Sequence, residues 1–205
     1  MDGVVARTER IQEAVWLKFF NQHGIALTPH DVFNMRGMRP VDVINEYFPK
    51  TTADVRQEMA AERSEISKNA LRNSVIAPVD GIADFVHNAR KNSFKVALAT
   101  SAHRDTAELI LNKVGLRDCF DVIISAEDVT RGKPDPEVYE KTALQLCVQP
   151  KECIVFEDAA SGIQSAKRAG MKVVGLLTSH TKEELAGADD YLVNFAKTNA
   201  DRYND

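Results

Sequence analysis

Val155-Phe156-Glu157-Asp158-Ala159-Ala160-Ser161-Gly162-Ile163-Gln164 is the stretch on which the reading of the fold turns. It leaves a short aliphatic run, Cys153 to Phe156, passes two adjacent carboxylates and enters a helix-forming segment, Ala160 to Ala169, closed by Gly170 in a capping position. Strand, polar turn and helix in that order form the repeating unit of a parallel sheet. Glu157 and Asp158 repel each other unless a cation lies between or beside them, and Mg2+, with its preference for oxygen ligands, suits such a pair. An acidic N-cap on the following helix is a physically sound alternative that accounts for one carboxylate better than for two.

Outward from this stretch the unit repeats from about Val79 onward. Phe94 to Thr100 (FKVALAT), Val122 to Ser125 and Val173 to Leu177 are aliphatic runs continuous enough to be buried on both faces, and Tyr191 to Val193 follows an Asp189-Asp190 turn. Helical stretches at Ile82 to Arg90, Arg104 to Val114 and Pro136 to Cys147 separate them. The expected class is α/β, a Rossmann-like parallel sheet with helices on both faces. From Glu9 to about Ile76 the pattern is helical without a convincing strand: Trp16, Phe19 and Phe20 sit at helical spacing, and Thr52 to Asn73 has a polar exposed face. Residues 1–8 and 78–205 are therefore expected to form the core and residues 9–77 a small all-helical cap. Such an insert suits a hinged lid that excludes water, or else a rigid appendage.

At 205 residues the chain has room for one well-packed core and this insertion. A net charge of −4, with Lys and Arg scattered among acidic residues, argues against a nucleic-acid partner. No run approaches the roughly 18 consecutive apolar residues of a membrane span, and no basic region followed by an apolar run marks a leader, so the cytoplasm is the expected compartment and a monomer the expected state. Cys119, Cys147 and Cys153 form no CxxC pair, which argues against a disulfide framework or a zinc site.

Ligand sites in open parallel sheets lie at the carboxyl edge of the strands. Besides Glu157 and Asp158, three segments belong to that edge. Asp2-Gly3, followed by Thr8, sets an acid before a tight turn, although Asp-Gly pairs also mark ordinary turns. Thr100 and Ser101 end the FKVALAT strand, where a hydroxyl and the following N–H groups could hold a phosphate oxygen or simply cap a helix. Lys133, in Gly132-Lys133-Pro134-Asp135-Pro136, is a cation fixed by flanking prolines, placed to neutralise phosphoryl charge or to be solvated in its loop.

Together DGVVARTE, VALATSA, RGKPDPEVY and VFEDAASGIQSAKRAGM resemble the four ordered motifs of haloacid-dehalogenase-type phosphatases and phosphomutases, in the β-phosphoglucomutase-like branch, over nearly the whole chain. The resemblance implies a phosphohydrolase acting on a small phosphorylated metabolite with Mg2+ as cofactor. It casts Asp2 as general acid and base that also offers its carbonyl to the metal, Thr100 as binder of the phosphoryl group, Lys133 as its stabiliser, Glu157 and Asp158 as metal holders, and Thr8 as the hinge beside the substrate. The family's nucleophile is an Asp two residues ahead of the Asp2 position, at the end of a first strand central to the sheet, and both lie outside this sequence. Either Met1 is an internal methionine and an upstream strand ending in Asp precedes it, which the three intact motifs favour, or the chain is a shortened, non-catalytic relative that binds a phosphorylated ligand or partner.

Arg36-Gly37-Met38-Arg39-Pro40 resembles the cap loop of hexitol and deoxysugar phosphatases, making a sugar phosphate the leading substrate expectation, with surface arginines around a helix break as the alternative. Gln12 stands where mutases of the branch carry a histidine, which weakens the phosphomutase alternative, and Arg7 where relatives often carry Asp. The absence of a cap lysine placed for a Schiff base argues against phosphonoacetaldehyde hydrolysis. Of the five histidines only His103 lies close to a motif, where it could touch phosphate or remain a loop residue.

Overall fold

Hydroxyl and proline residues start the first helices. In the computed structural model, which describes residues 1–203, these are α1 (Glu9–Gln22), α2 (Pro29–Asn34), α3 (Pro40–Tyr47) and α4 (Ala53–Arg72). Thr28 and Asp31 form a reciprocal capping box on α2, Thr52 caps α4 by accepting the Val55 N–H, and Pro29 and Pro40 sit where a missing N–H costs nothing. Their apolar faces close a core of their own around Trp16, Phe19, Phe20, Val43, Ile44 and Met59. Phe20 stacks on Phe48 at 5.9 Å and meets Phe19 edge-on at 5.4 Å, arrangements aromatic rings prefer.

The chain enters and leaves these helices side by side: Arg7 donates its N–H to Ala77 O, and Val79 donates to Val5 O. Beyond the crossing, α5 (Ile82–Lys91), β1 (Ala97–Ala99), α6 (Arg104–Lys113), β2 (Val122–Ile124), α7 (Glu137–Leu146), β3 (Ile154–Glu157), α8 (Ala160–Arg168), β4 (Lys172–Leu176) and β5 (Asp190–Leu192) follow in α/β alternation. All strand pairs are parallel, and alternate residues face opposite layers. Leu98, Ile123, Val174 and Leu176 pack with α5 and α6, whereas Ile124, Val155 and Val173 pack with α7 and α8. Aliphatic burial on both faces is the pattern that marks these strands in the sequence.

The strands form two sheets, β1-β2 and β3-β4-β5, without a ladder joining β1 to β3 among the described residues. Between those edges lies a cavity of about 440 Å³, lined by residues 96–99 on one side and 153–157 on the other, by Phe85 and Val86 of α5, by Tyr139 and Ala143 of α7, and by Met1. The space is bounded by two strand edges and by one helix of each layer, and a strand ahead of Asp2 is expected between those edges. Among the described residues, Ala97–Ala99 of the FKVALAT run forms a ladder with β2 alone.

Candidate active site

Asp2, Thr100, Ser101, Lys133, Glu157 and Asp158 all line one cavity of about 120 Å³, between the carboxyl ends of β1 and β3 and helices α1, α3 and α4. Each arrives there for a local reason. Gly3 turns the chain at φ +66, and its missing side chain makes room for Asp158, whose Oδ2 lies 2.0 Å from where a Cβ would stand. Asp2 Oδ1 accepts the Thr8 hydroxyl at 2.5 Å and the Gln12 carboxamide at 3.4 Å, which orients the carboxylate. Thr100 ends β1 with its Oγ1 accepting the Ala102 N–H at 3.1 Å, the turn-forming use of that hydroxyl.

Lys133 and Glu157 form a buried ion pair, their side chains 5% and 8% exposed, and Tyr139 donates its hydroxyl to the same Glu157 Oε1 at 2.5 Å. The Lys133 ammonium also lies 4.9 Å above the Tyr139 ring. Gly162 on α8 leaves the space this carboxylate fills, since a Cβ there would lie 2.2 Å from Glu157 Cδ. Burial alone would raise the Glu157 carboxyl, but the Lys133 ammonium holds it below its ordinary range. Asp158 responds the opposite way: burial and the neighbouring Glu157 charge push it up, although Ser179 Oγ donates to its Oδ2 at 2.9 Å. Asp158 thus keeps the uncompensated carboxylate of the pair.

The acidic pair therefore divides into two uses, with Glu157 as counter-ion and anchor of Lys133. Among the described residues no group of three or more His, Cys, Asp or Glu side chains is clustered to hold a metal. Asp2 and Asp158 still fit Mg2+, which is usually held by one or two carboxylates completed by water and substrate oxygen. The rise of the Asp158 carboxyl at a buried, carboxylate-rich point supports that fit.

Several expected contacts take other forms. Thr8 is fully buried behind Asp2, so it orients the acid and does not face the cavity. Arg39 also lies away from the cavity: it forks onto Asp42 and donates to Val129 O and Thr130 O at 2.9 Å, tying α3 to the loop that carries Lys133. Ser101 Oγ donates to Gly37 O at 2.6 Å, a second tie between the helical segment and the sheet edge. Arg36 does line the cavity, donating to Ser179 O at 3.3 Å and lying 3.6 Å from Glu13. His103 lines it as well, its Nδ1 2.6 Å from Glu127.

Sequence reasoning passed over Ser179, Glu137 and Arg63. Thr178 and Ser179 follow the Leu176-Leu177 strand end just as Thr100 and Ser101 follow theirs, so the signal was present. Glu137 accepts the Thr130 N–H and hydroxyl and the Arg131 N–H, and pairs with Lys141, folding the Lys133 loop back on its own helix. Burial raises its carboxyl, but these donors hold it well below the usual carboxylate range. Glu137→Ala should therefore cost about 1–3 kcal/mol at neutral pH in urea unfolding. A depressed folded-state value stabilises above the unfolded value, about 4.3, and that contribution fades as pH falls below it. The gap between wild type and variant should accordingly narrow in acid; an unchanged gap would show that the lost interaction is not the ionised carboxylate.

Parallel strands delivering carboxylates and a lysine to one edge, against residues of α1, α3 and α4, define an α/β protein with a polar site at that edge. Residues 1–176 match the haloacid dehalogenase-like hydrolase family, and the chain belongs to it. It is 35% identical over 190 residues to a validoxylamine A 7'-phosphate phosphatase of Streptomyces hygroscopicus, spanning 92% of this chain and 88% of that protein. It is 30% identical over 176 residues to a fructose-1-phosphate phosphatase of Escherichia coli, spanning 85% and 92% respectively. In fold it is similar to a β-phosphoglucomutase from Clostridium difficile, with a TM-score of 0.86 over 99% of this chain and 94% of that one at 24% identity. Among the described residues no helix is long and apolar enough to cross a membrane.

Proposed function

We propose that the chain is a Mg2+-dependent phosphomonoester hydrolase of small phosphorylated metabolites, sugar phosphates first among them, with residues 9–77 acting as its cap. The observation that carries this reading is the convergence of Asp2, Asp158, Lys133 and the Thr100-Ser101 turn on one cavity. Family membership and phosphatase relatives acting on phosphorylated carbohydrate-like compounds support it.

In this reading Asp158 and the Asp2 carbonyl would hold Mg2+, which would supply positive charge to the phosphoryl oxygens. Lys133, fixed by Glu157 and Tyr139, adds a second positive charge on the phosphoryl group without needing to be ordered first. The Thr100 hydroxyl, whose oxygen accepts the Ala102 N–H, and the Ser101 N–H donate to phosphoryl oxygens. Asp2, with Oδ1 engaged by Thr8 and Gln12, uses its other oxygen to protonate the leaving alkoxide and then to take a proton from the attacking water. The covalent step requires a carboxylate two residues ahead of Asp2 that attacks phosphorus and forms an aspartyl-phosphate, which water then hydrolyses.

The test compares phosphate release from sugar phosphates by the chain of this sequence and by one carrying an apolar strand ending in Asp ahead of Met1, each with and without Mg2+. Activity is expected only in the longer chain with Mg2+, and Asp158→Ala there should reduce kcat by about 100-fold or more. Full activity without the added Asp would overturn the nucleophile assignment, and unchanged turnover in Asp158→Ala would overturn its metal role.

A further inference from the structure

Three residues after β4 reach the two stretches that bring Asp2 and Asp158 to the cavity, and the steps above use none of them. Thr178 Oγ1 donates to Gly3 O at 2.6 Å, one residue from Asp2. Ser179 Oγ donates to Asp158 Oδ2 at 2.9 Å and lies 2.8 Å from His180 Nδ1. A serine hydroxyl has a single proton to give. With Asp158 ionised that proton goes to the carboxylate, so the Ser179 oxygen accepts the Nδ1–H of His180, and the donors run from His180 to Ser179 to Asp158. The ring is held for this arrangement: it packs on Phe33 of α2 with centroids 4.2 Å apart. Burial, and then the Arg36 guanidinium, push its pKa down, which keeps the imidazole neutral.

These contacts make the two oxygens of Asp158 unequal. Oδ2 faces Ser179 and lies against Gly3, where there is no room for a Cβ. Oδ1 accepts no hydrogen bond among the described residues, on a side chain that lines the cavity. A carboxylate that gives one oxygen to a cation is best oriented through the other.

We propose that Thr178, Ser179 and His180 are positioning residues that fix the spacing of the Asp2 carbonyl and the Asp158 carboxylate and reserve Asp158 Oδ1 for the metal. The proposal rests on the phosphohydrolase reading with Mg2+ at Asp2 and Asp158, and it assigns what orients those groups. It also joins helix α2 to the metal side of the cavity through Phe33, because the ring it packs on is the first donor of the chain.

The test is calorimetric titration of the chain of this sequence with Mg2+ alone, above neutral pH, with NMR of the His180 ring nitrogens in the Mg2+-saturated samples. Ser179→Ala should weaken Mg2+ binding by roughly 10–100-fold, the usual effect of losing a hydrogen bond behind a metal ligand. Ser179→Thr, which keeps the hydroxyl, should restore most of the affinity. His180→Phe keeps a ring against Phe33 without a donor and should weaken binding, whereas His180→Asn, with an N–H near the Nδ1 position, should weaken it less. In wild type Nδ1 should carry the ring proton, and Ser179→Ala should lose that preference. If Ser179→Ala does not fold, the two His180 variants carry the same comparison. Unchanged affinity in Ser179→Ala, equal losses in the two His180 variants, or a wild-type Nδ1 without a proton would overturn the positioning role and leave Mg2+ at Asp158. Absence of saturable Mg2+ binding by wild type would overturn the metal reading and this proposal together.

Discussion

Replacing Lys133 by methionine should lower the stability of the fold by about 3–5 kcal/mol, the usual cost of removing one partner of a buried ion pair. The side chains of Lys133 and Glu157 are 5% and 8% exposed, so the carboxylate left behind would keep only Tyr139 as a side-chain donor. At roughly 2–4 °C per kcal/mol for a domain of this size, the melting midpoint should fall by roughly 6–20 °C. The double variant Lys133→Met, Glu157→Gln should be more stable than Lys133→Met alone, because it removes the stranded charge and keeps the Tyr139 acceptor. Added salt should change the wild-type midpoint little, since a pair this buried is poorly screened. The folded-state Glu157 carboxyl is held down, so the pair's contribution is present above the unfolded carboxylate value and is lost as pH falls through the acid range. A double variant less stable than the single one would mean that Glu157 contributes something other than a counter-charge.

That pairing shows where the sequence was legible and where it was not. Glu157 and Asp158 stood out in the sequence because like charges side by side after an apolar strand demand a cation. Which of them meets Lys133 depends on β3, whose alternation turns Glu157 under the loop after β2 and toward Tyr139, and on Gly162, which clears the volume. The strands themselves were plain, since burial on both faces leaves an unbroken aliphatic run. Thr8 and Arg39 sit at motif positions that face a substrate in the expected scheme, but their donors are engaged by Asp2 and by the carbonyls of Val129 and Thr130. Such intramolecular competition has no signature in residue type. Arg63 lay unremarked in a polar helix because α4 is read as an exposed face until Trp16 is seen beneath it.

The opening between β1 and β3 carries the largest stabilising expectation. Five Val/Ile-type residues and a terminal aspartate fused ahead of Met1, which lines the opening, should enter it as a parallel strand. Each buried apolar side chain contributes about 1.5–3 kcal/mol and each ladder hydrogen bond about 0.5–1.5 kcal/mol, against an ordering cost of about 1–2 kcal/mol per residue. The net gain expected is on the order of 3–6 kcal/mol, or roughly 6–24 °C in the melting midpoint. Backbone amides of β1 and β3 should exchange more slowly in the extended chain, while those of β5, away from the opening, should change little. A Gly/Ser extension of equal length is the control, because it has the reach but no side chains for the Phe85 and Val86 floor. If the apolar and Gly/Ser extensions melt alike, the opening is not a strand site. If the apolar one is stabilised and its terminal aspartate, but not asparagine, confers phosphate release, one segment completes both the sheet and the nucleophile, since a strand seated between β1 and β3 must end at the edge where Asp2, Lys133 and Asp158 meet.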